Sequence, residues 1–215
     1  MAKIKSILTF PWNSINLDNN TNTFYTKNEK AHKVPICIKL KYCTIPFGIK
    51  LDEKTNKRYV YINLSQCLFE DEDGKNVKQK NIKKYTQKAI KFFKKLNLVC
   101  YEYLGIPMNH YIPIYKDLMD NHDLFLIKCY LEDMDDILQL VDNDKRIYEC
   151  DLKLHRLWYN KKHKYGGAII NIYNIKNTNV EGMKIGYNFD LGEDEGQDSF
   201  KDGRNNYKDI LDDRL

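Results

Sequence analysis

The sequence predicts an α+β fold, strand-rich and mostly antiparallel, with one basic amphipathic helix and one or two further helices. Three observations predict it. Several short segments alternate apolar and polar residues and are separated by turn-forming clusters. One segment, residues 81–96, repeats its apolar residues at three- and four-residue steps. A third, residues 117–141, carries an apolar stripe that fits a helix but contains a run, LFLIKCYL, that fits a strand equally well.

Taken in order, residues 4–10 (IKSILTF) predict a first strand that Pro11 ends. Residues 13–33, centred on NLDNNTNT, are polar and Asn-rich and read as a long loop. Residues 34–42 alternate cleanly, with Val34, Ile36, Ile38, Leu40 and Tyr42 on one face and Lys39 and Lys41 on the other. Residues 45–51 and 58–64 flank the turn DEKTNK as a hairpin, and EDEDG at 70–74 is an acidic turn.

Residues 81–96 (NIKKYTQKAIKFFKKL) follow. Ile82, Tyr85, Ala89, Phe92, Phe93 and Leu96 form the apolar stripe. Lys83, Lys84, Lys88, Lys91, Lys94 and Lys95 fill the opposite arc, and the segment has no Asp or Glu. Extending the helix would put Leu98 among the lysines. The reading therefore ends it at Leu96, with Asn97 as a left-handed C-terminal cap. Residues 98–104 become a strand, 105–109 a turn, and 110–115 (HYIPIY) an edge strand marked by Pro113. Residues 147–159 predict a strand, 160–163 a turn and 168–175 a further strand, which 183–189 would join. Residues 1–189 read as one body with a sub-boundary near 116–122, and 190–215 as an acidic peripheral tail.

Charge divides along the same line. The net charge is +5, but residues 190–215 hold nine acids against four bases, leaving a body of +10 and a tail of −5. A basic body suits a polyanionic partner. Only five of the 35 basic residues are Arg. Bidentate guanine contacts favour Arg, so the composition argues for sequence-tolerant rather than base-specific binding. Abundant Lys, Asn, Ile and Tyr match AT-rich coding, as in an accessory factor of a phage or mobile element, and coding bias itself supplies some of the lysines.

The six cysteines are dispersed, without a CxxC pair, and the start MAKIKS carries no apolar leader core. No apolar run approaches the ~18 residues of a membrane span. These features predict an intracellular, cytoplasmic protein with reduced, mostly buried thiols and no membrane partner. Cys37 and Cys43 are expected on one strand face, too far apart to share a metal. Asp133, Asp135 and Asp136 read as a solvated helix face rather than a Mg²⁺ cluster, and the stretch 190–200 lacks calcium-loop ligand spacing. No catalytic residue, metal ligand or cofactor is assigned, because no nucleotide-binding, hydrolase or zinc motif is present.

The order helix, Asn cap, strand, turn, strand over residues 81–115, with the phrase AIKFFKKLNLVCYEYL, resembles the last helix and wing of winged-helix DNA-binding domains. The resemblance implies a helix in the major groove and a wing against phosphate or the minor groove.

The functional expectation is a non-enzymatic nucleic-acid-binding protein. It contacts phosphates through Lys83, Lys84, Lys88, Lys91 and Lys95, with Tyr101, Tyr103, Tyr111 and Tyr115 near enough to stack on unpaired bases. A second basic cluster, Arg156, Lys161, Lys162 and Lys164, brackets Trp158 and Tyr159 ahead of Gly166 and Gly167. It reads as a wet β-turn or as a phosphate grip. The alternative is an interaction module, an inhibitor or assembly subunit, that docks an acidic protein surface.

Overall fold

A computed structural model describes residues 5–7, 10, 12–28, 30–53, 55–64, 77–118, 124–132 and 146–178. Within them lie eleven strands, all in one mixed sheet, and a single α-helix. The fold is mostly β, which corrects the α+β expectation. No second α-helix occurs among the described residues. One misread segment and one left open account for much of the difference.

The first is the polar stretch 13–33. It folds as β2 (Asn16–Asp18) and β3 (Thr23–Lys27), an antiparallel hairpin, after β1 (Lys5–Ser6). Asn22 turns it at φ 53, and the Asp18 carboxylate accepts the Asn20 N–H. Asn and Asp here close a tight turn, which is why composition alone resembled a loop. Phe24 and Thr26 point inward and are buried. The ambiguous stripe at 117–141 resolves to its strand alternative, with residues 124–131 forming strand; its continuation, 133–141, lies outside the described residues.

The long strands carry the sheet. β4 (Lys33–Cys43) pairs antiparallel with β10 (Tyr148–Asn160), and β10 with β11 (Tyr165–Asn177). β5 (Lys50–Asp52) and β6 (Lys57–Asn63) form the expected hairpin around DEKTNK. β6 pairs with β9 (Leu124–Leu131), which meets β11 in parallel at Asn171 and Ile172. β7 (Tyr111–Ile112) and β8 (Tyr115–Leu118) pair with β11 and β9 respectively. Pro113, read as an edge marker, instead falls in the break between these two short strands. Proline has no N–H for a ladder, so the chain changes partners there.

Helix α1 runs from Val77 to Leu104, eight residues past the expected stop. Residues 98–104 are therefore helical, not the first strand of a hairpin. Gly105 takes the cap at φ +60, with its N–H bonded to the Tyr101 carbonyl at 3.1 Å. This is the left-handed cap geometry assigned to Asn97, moved to the residue that adopts it without strain. Leu98 does lie on the lysine arc and is 52% exposed. A single exposed leucine is an ordinary surface feature, so its position could not end the helix.

Asn97 has a different task. It is buried, and its Oδ1 accepts the Ile114 N–H and the Tyr111 hydroxyl, both at 3.0 Å. It pins β7, and the residue just before β8, to the helix. Ala89, Phe92, Phe93, Leu96 and Cys100 on the helix pack with the inward residues of β4, β6, β9, β10 and β11 into one core.

Gly166 and Gly167 belong to that packing. A Cβ on Gly166 would lie 2.5 Å from the Trp158 carbonyl oxygen, and one on Gly167 2.9 Å from that of Ile112. Both clashes are with backbone, which cannot swing aside. Gly166→Ala should cost about 1–3 kcal/mol of stability in urea unfolding. Unchanged stability would show that β10 and β11 have room to separate there.

Candidate nucleic-acid interface

The buried stripe of α1 presses its opposite arc outward, and this decides where the lysines go. Lys83, Lys84, Lys88, Lys91 and Lys95 are all exposed. From Lys84 to Lys95 the row extends about 16 Å along the axis. Among the described residues, no carboxylate forms an ion pair with any of the five. Lys94 is different: its ammonium meets Asp117 of β8 at 2.6 Å. Lys95 reaches sideways, its Nζ 4.6 Å from the Trp12 ring centroid.

The second cluster sits at the β10–β11 turn. Lys161, Lys162 and Lys164 are exposed at the tip, and Arg156 is exposed on β10 opposite Thr23. The Asn160 carboxamide accepts the N–H groups of Lys162 and His163, and Lys164 turns the chain at φ 58. The two basic clusters lie on separate elements. β7 links them, since Tyr111 bonds Asn97 of the helix and is registered with Gly166 at the base of the turn.

Of the four tyrosines expected to stack, Tyr111 is buried and Tyr115 is stacked on Phe125 with centroids 4.7 Å apart. Tyr101 is half-buried against Tyr111. Tyr103 alone of the four is exposed, its hydroxyl donating to the Ile15 carbonyl.

Sequence reading missed a third polar surface, on the side of the sheet away from α1. Lys39 meets Glu149 and Asp151; Lys153 meets Glu132, which also accepts from Asn171; Lys128 meets Asp52. Alternation along β4, β9 and β10 could have shown that these residues share faces. The cross-strand partners could not be read without register. Cys37 lies on this side beside Tyr173, with its thiol raised above the usual value chiefly by burial. Cys43 turns into the core, 3.4 Å from the Cys150 sulfur. The single-face expectation for Cys37 and Cys43 fails because Tyr42, at φ 56, breaks the alternation between them. Cys37, Cys43, Cys100, Cys129 and Cys150 are free and buried. Burial pushes the Cys100 thiol up to about 12.

This third surface neutralises itself. Burial tends to raise the Asp52 carboxyl, but Lys128, the Thr55 N–H and the Tyr130 hydroxyl together hold it below its ordinary value. Lys128 is itself lowered by burial, with Asp52 opposing, and lies 4.3 Å over the Tyr59 ring. Folding thus favours ionised Asp52. That contribution is complete above the ordinary value of about 4 and is lost as pH falls through the depressed folded value. Asp52→Asn should therefore be less stable than wild type near neutral pH, and the gap should close below about pH 4. A gap independent of pH would remove the carboxylate's charge from the explanation.

No family model matches the chain, and no curated protein matches it. Among the described residues no helix is long and apolar enough to cross a membrane.

Proposed function

We propose that this is a non-enzymatic, cytoplasmic nucleic-acid-binding protein that holds the phosphate backbone without reading sequence. Lys83, Lys84, Lys88, Lys91 and Lys95 form the main contact, and Arg156, Lys161, Lys162 and Lys164 offer a second. One observation carries the reading. These five helix lysines face solvent without a carboxylate partner among the described residues, whereas Lys39, Lys128 and Lys153 across the sheet are paired. An acid-free cationic row loses little on meeting a polyanion and gains the release of condensed counterions. The scarcity of Arg suits backbone contact, which positions a strand without specifying it.

The test is titration of the full chain into labelled single strands and duplexes of several unrelated sequences at about 50 mM salt. Similar affinity for unrelated sequences, compared among the single strands and separately among the duplexes, supports the proposal. No binding at that salt overturns it.

Leu98 favours a second reading. An exposed leucine within the cationic arc, with Met108 60% exposed beyond the helix end, also suits an acidic protein surface carrying an apolar residue. Retention of a protein partner after nuclease treatment, lost in Leu98→Ser, would favour that reading.

A further inference from the structure

Trp12 lies where the lysine row ends. The short 3₁₀ turn Trp12–Ser14 brings the N-terminal segment along the flank of α1. Phe10 and Phe92 support the indole, with centroids 4.9 and 5.0 Å away, and Trp12 remains only half-buried. The Lys95 ammonium rests over its ring. Eight residues further along the helix, about 12 Å, Tyr103 stands 43% exposed and is fixed to the same N-terminal segment through the Ile15 carbonyl. The phosphate-binding row thus continues into a flank carrying two aromatic rings.

We infer that Trp12 is a base-stacking residue whose ring face Lys95 covers in the free protein, and that the ligand it selects is single-stranded nucleic acid. The inference rests on the lysine row binding phosphate. A cation–π contact at an exposed site is weak, about 0.5–1 kcal/mol. A phosphate draws Lys95 away easily and bares the indole. An unpaired base on the same strand then stacks on it, in a contact worth more than the one it replaces. A duplex engages the same lysines, but its bases are stacked on one another and cannot reach the ring. Lys95 thus links the two contacts, holding Trp12 covered until a phosphate arrives.

The experiment uses the full chain with Trp158→Phe, which leaves Trp12 as its sole tryptophan. It is titrated with a single strand and with the duplex of the same sequence, following label anisotropy for binding and indole emission for stacking. Emission should be strongly quenched in step with anisotropy for the single strand, and change only slightly with the duplex, which draws Lys95 off the ring without stacking a base on it. Trp12→Leu, which keeps an apolar group on Phe92, should weaken single-strand binding about 5- to 100-fold and leave duplex binding within about twofold. The difference between wild type and Trp12→Leu gives the same emission signal without the Trp158 substitution. Single-strand binding with unchanged Trp12 emission, or equal loss of both ligands in Trp12→Leu, overturns the stacking role and leaves the lysine row standing. Absence of binding to either ligand overturns both.

Discussion

Reversing Lys84, Lys88 and Lys91 to Glu together should weaken binding of single strands and duplexes at least about 100-fold at low salt, leaving the fold intact. The three side chains are exposed and make no ion pair among the described residues, so their replacement breaks nothing in the folded chain. Glu and Lys have similar helix propensities, and the carboxylates at 84 and 91 lie one turn from lysines, at 80 and at 94 and 95, where like charges stood before. Stability should therefore hold or rise while binding is lost. Each removed lysine forfeits a phosphate contact, and each introduced carboxylate repels the strand. A triple variant that folds and binds as wild type would show that the row is solvated surface and nothing more. The turn cluster of Lys161, Lys162 and Lys164 provides the comparison. The same reversal there should have a smaller effect, because Lys164 is committed to turn geometry and the tip is short.

Replacing Asn97 by Leu should destabilise the protein by about 1–3 kcal/mol, although leucine is the better helix former. The carboxamide oxygen is the acceptor for the buried Ile114 N–H and the Tyr111 hydroxyl. Leucine leaves the Ile114 N–H without an acceptor, while the Tyr111 hydroxyl retains the backbone carbonyl of residue 97 at 3.1 Å; a buried donor left without a partner costs about 1–3 kcal/mol. Against a typical total stability of about 5–15 kcal/mol this is a severe loss. Tyr111→Phe removes one of the two bonds and should cost less; combined with Asn97→Leu it should add little, since both substitutions break the same contact. Hydrogen exchange at Ile114 should accelerate in the Asn97 variant. Equal stability of wild type and Asn97→Leu in urea would remove the pin.

Asn97 also shows where sequence reasoning stopped. Its type and position allowed a helix cap, and local rules favoured that. What placed it mid-helix was a partner 17 residues downstream, invisible to any window along the chain. The hairpin 16–27 was hidden similarly, because Asn and Asp mark tight turns as readily as loops. Segments with strong period-2 alternation, at 34–42 and 147–159, were legible as strands, since their pattern reports burial on one face directly. The lysine arc was legible for the same reason at period 3.6. Whether acids from other strands would neutralise it was not, and Lys94 with Asp117 shows that they can. Trp12 carried no signal at all. Its place beside Lys95 depends on how the N-terminal segment crosses the helix.

The salt dependence of binding addresses the lysine row most directly. Five phosphate contacts should give a slope of log K against log salt of about −4.5 on duplex and about −3.5 on a single strand. Replacing Lys84 and Lys88 by Gln should reduce the duplex slope by about 2 and weaken all sequences alike. A slope unchanged by that pair of substitutions would place the bound phosphates elsewhere on the protein.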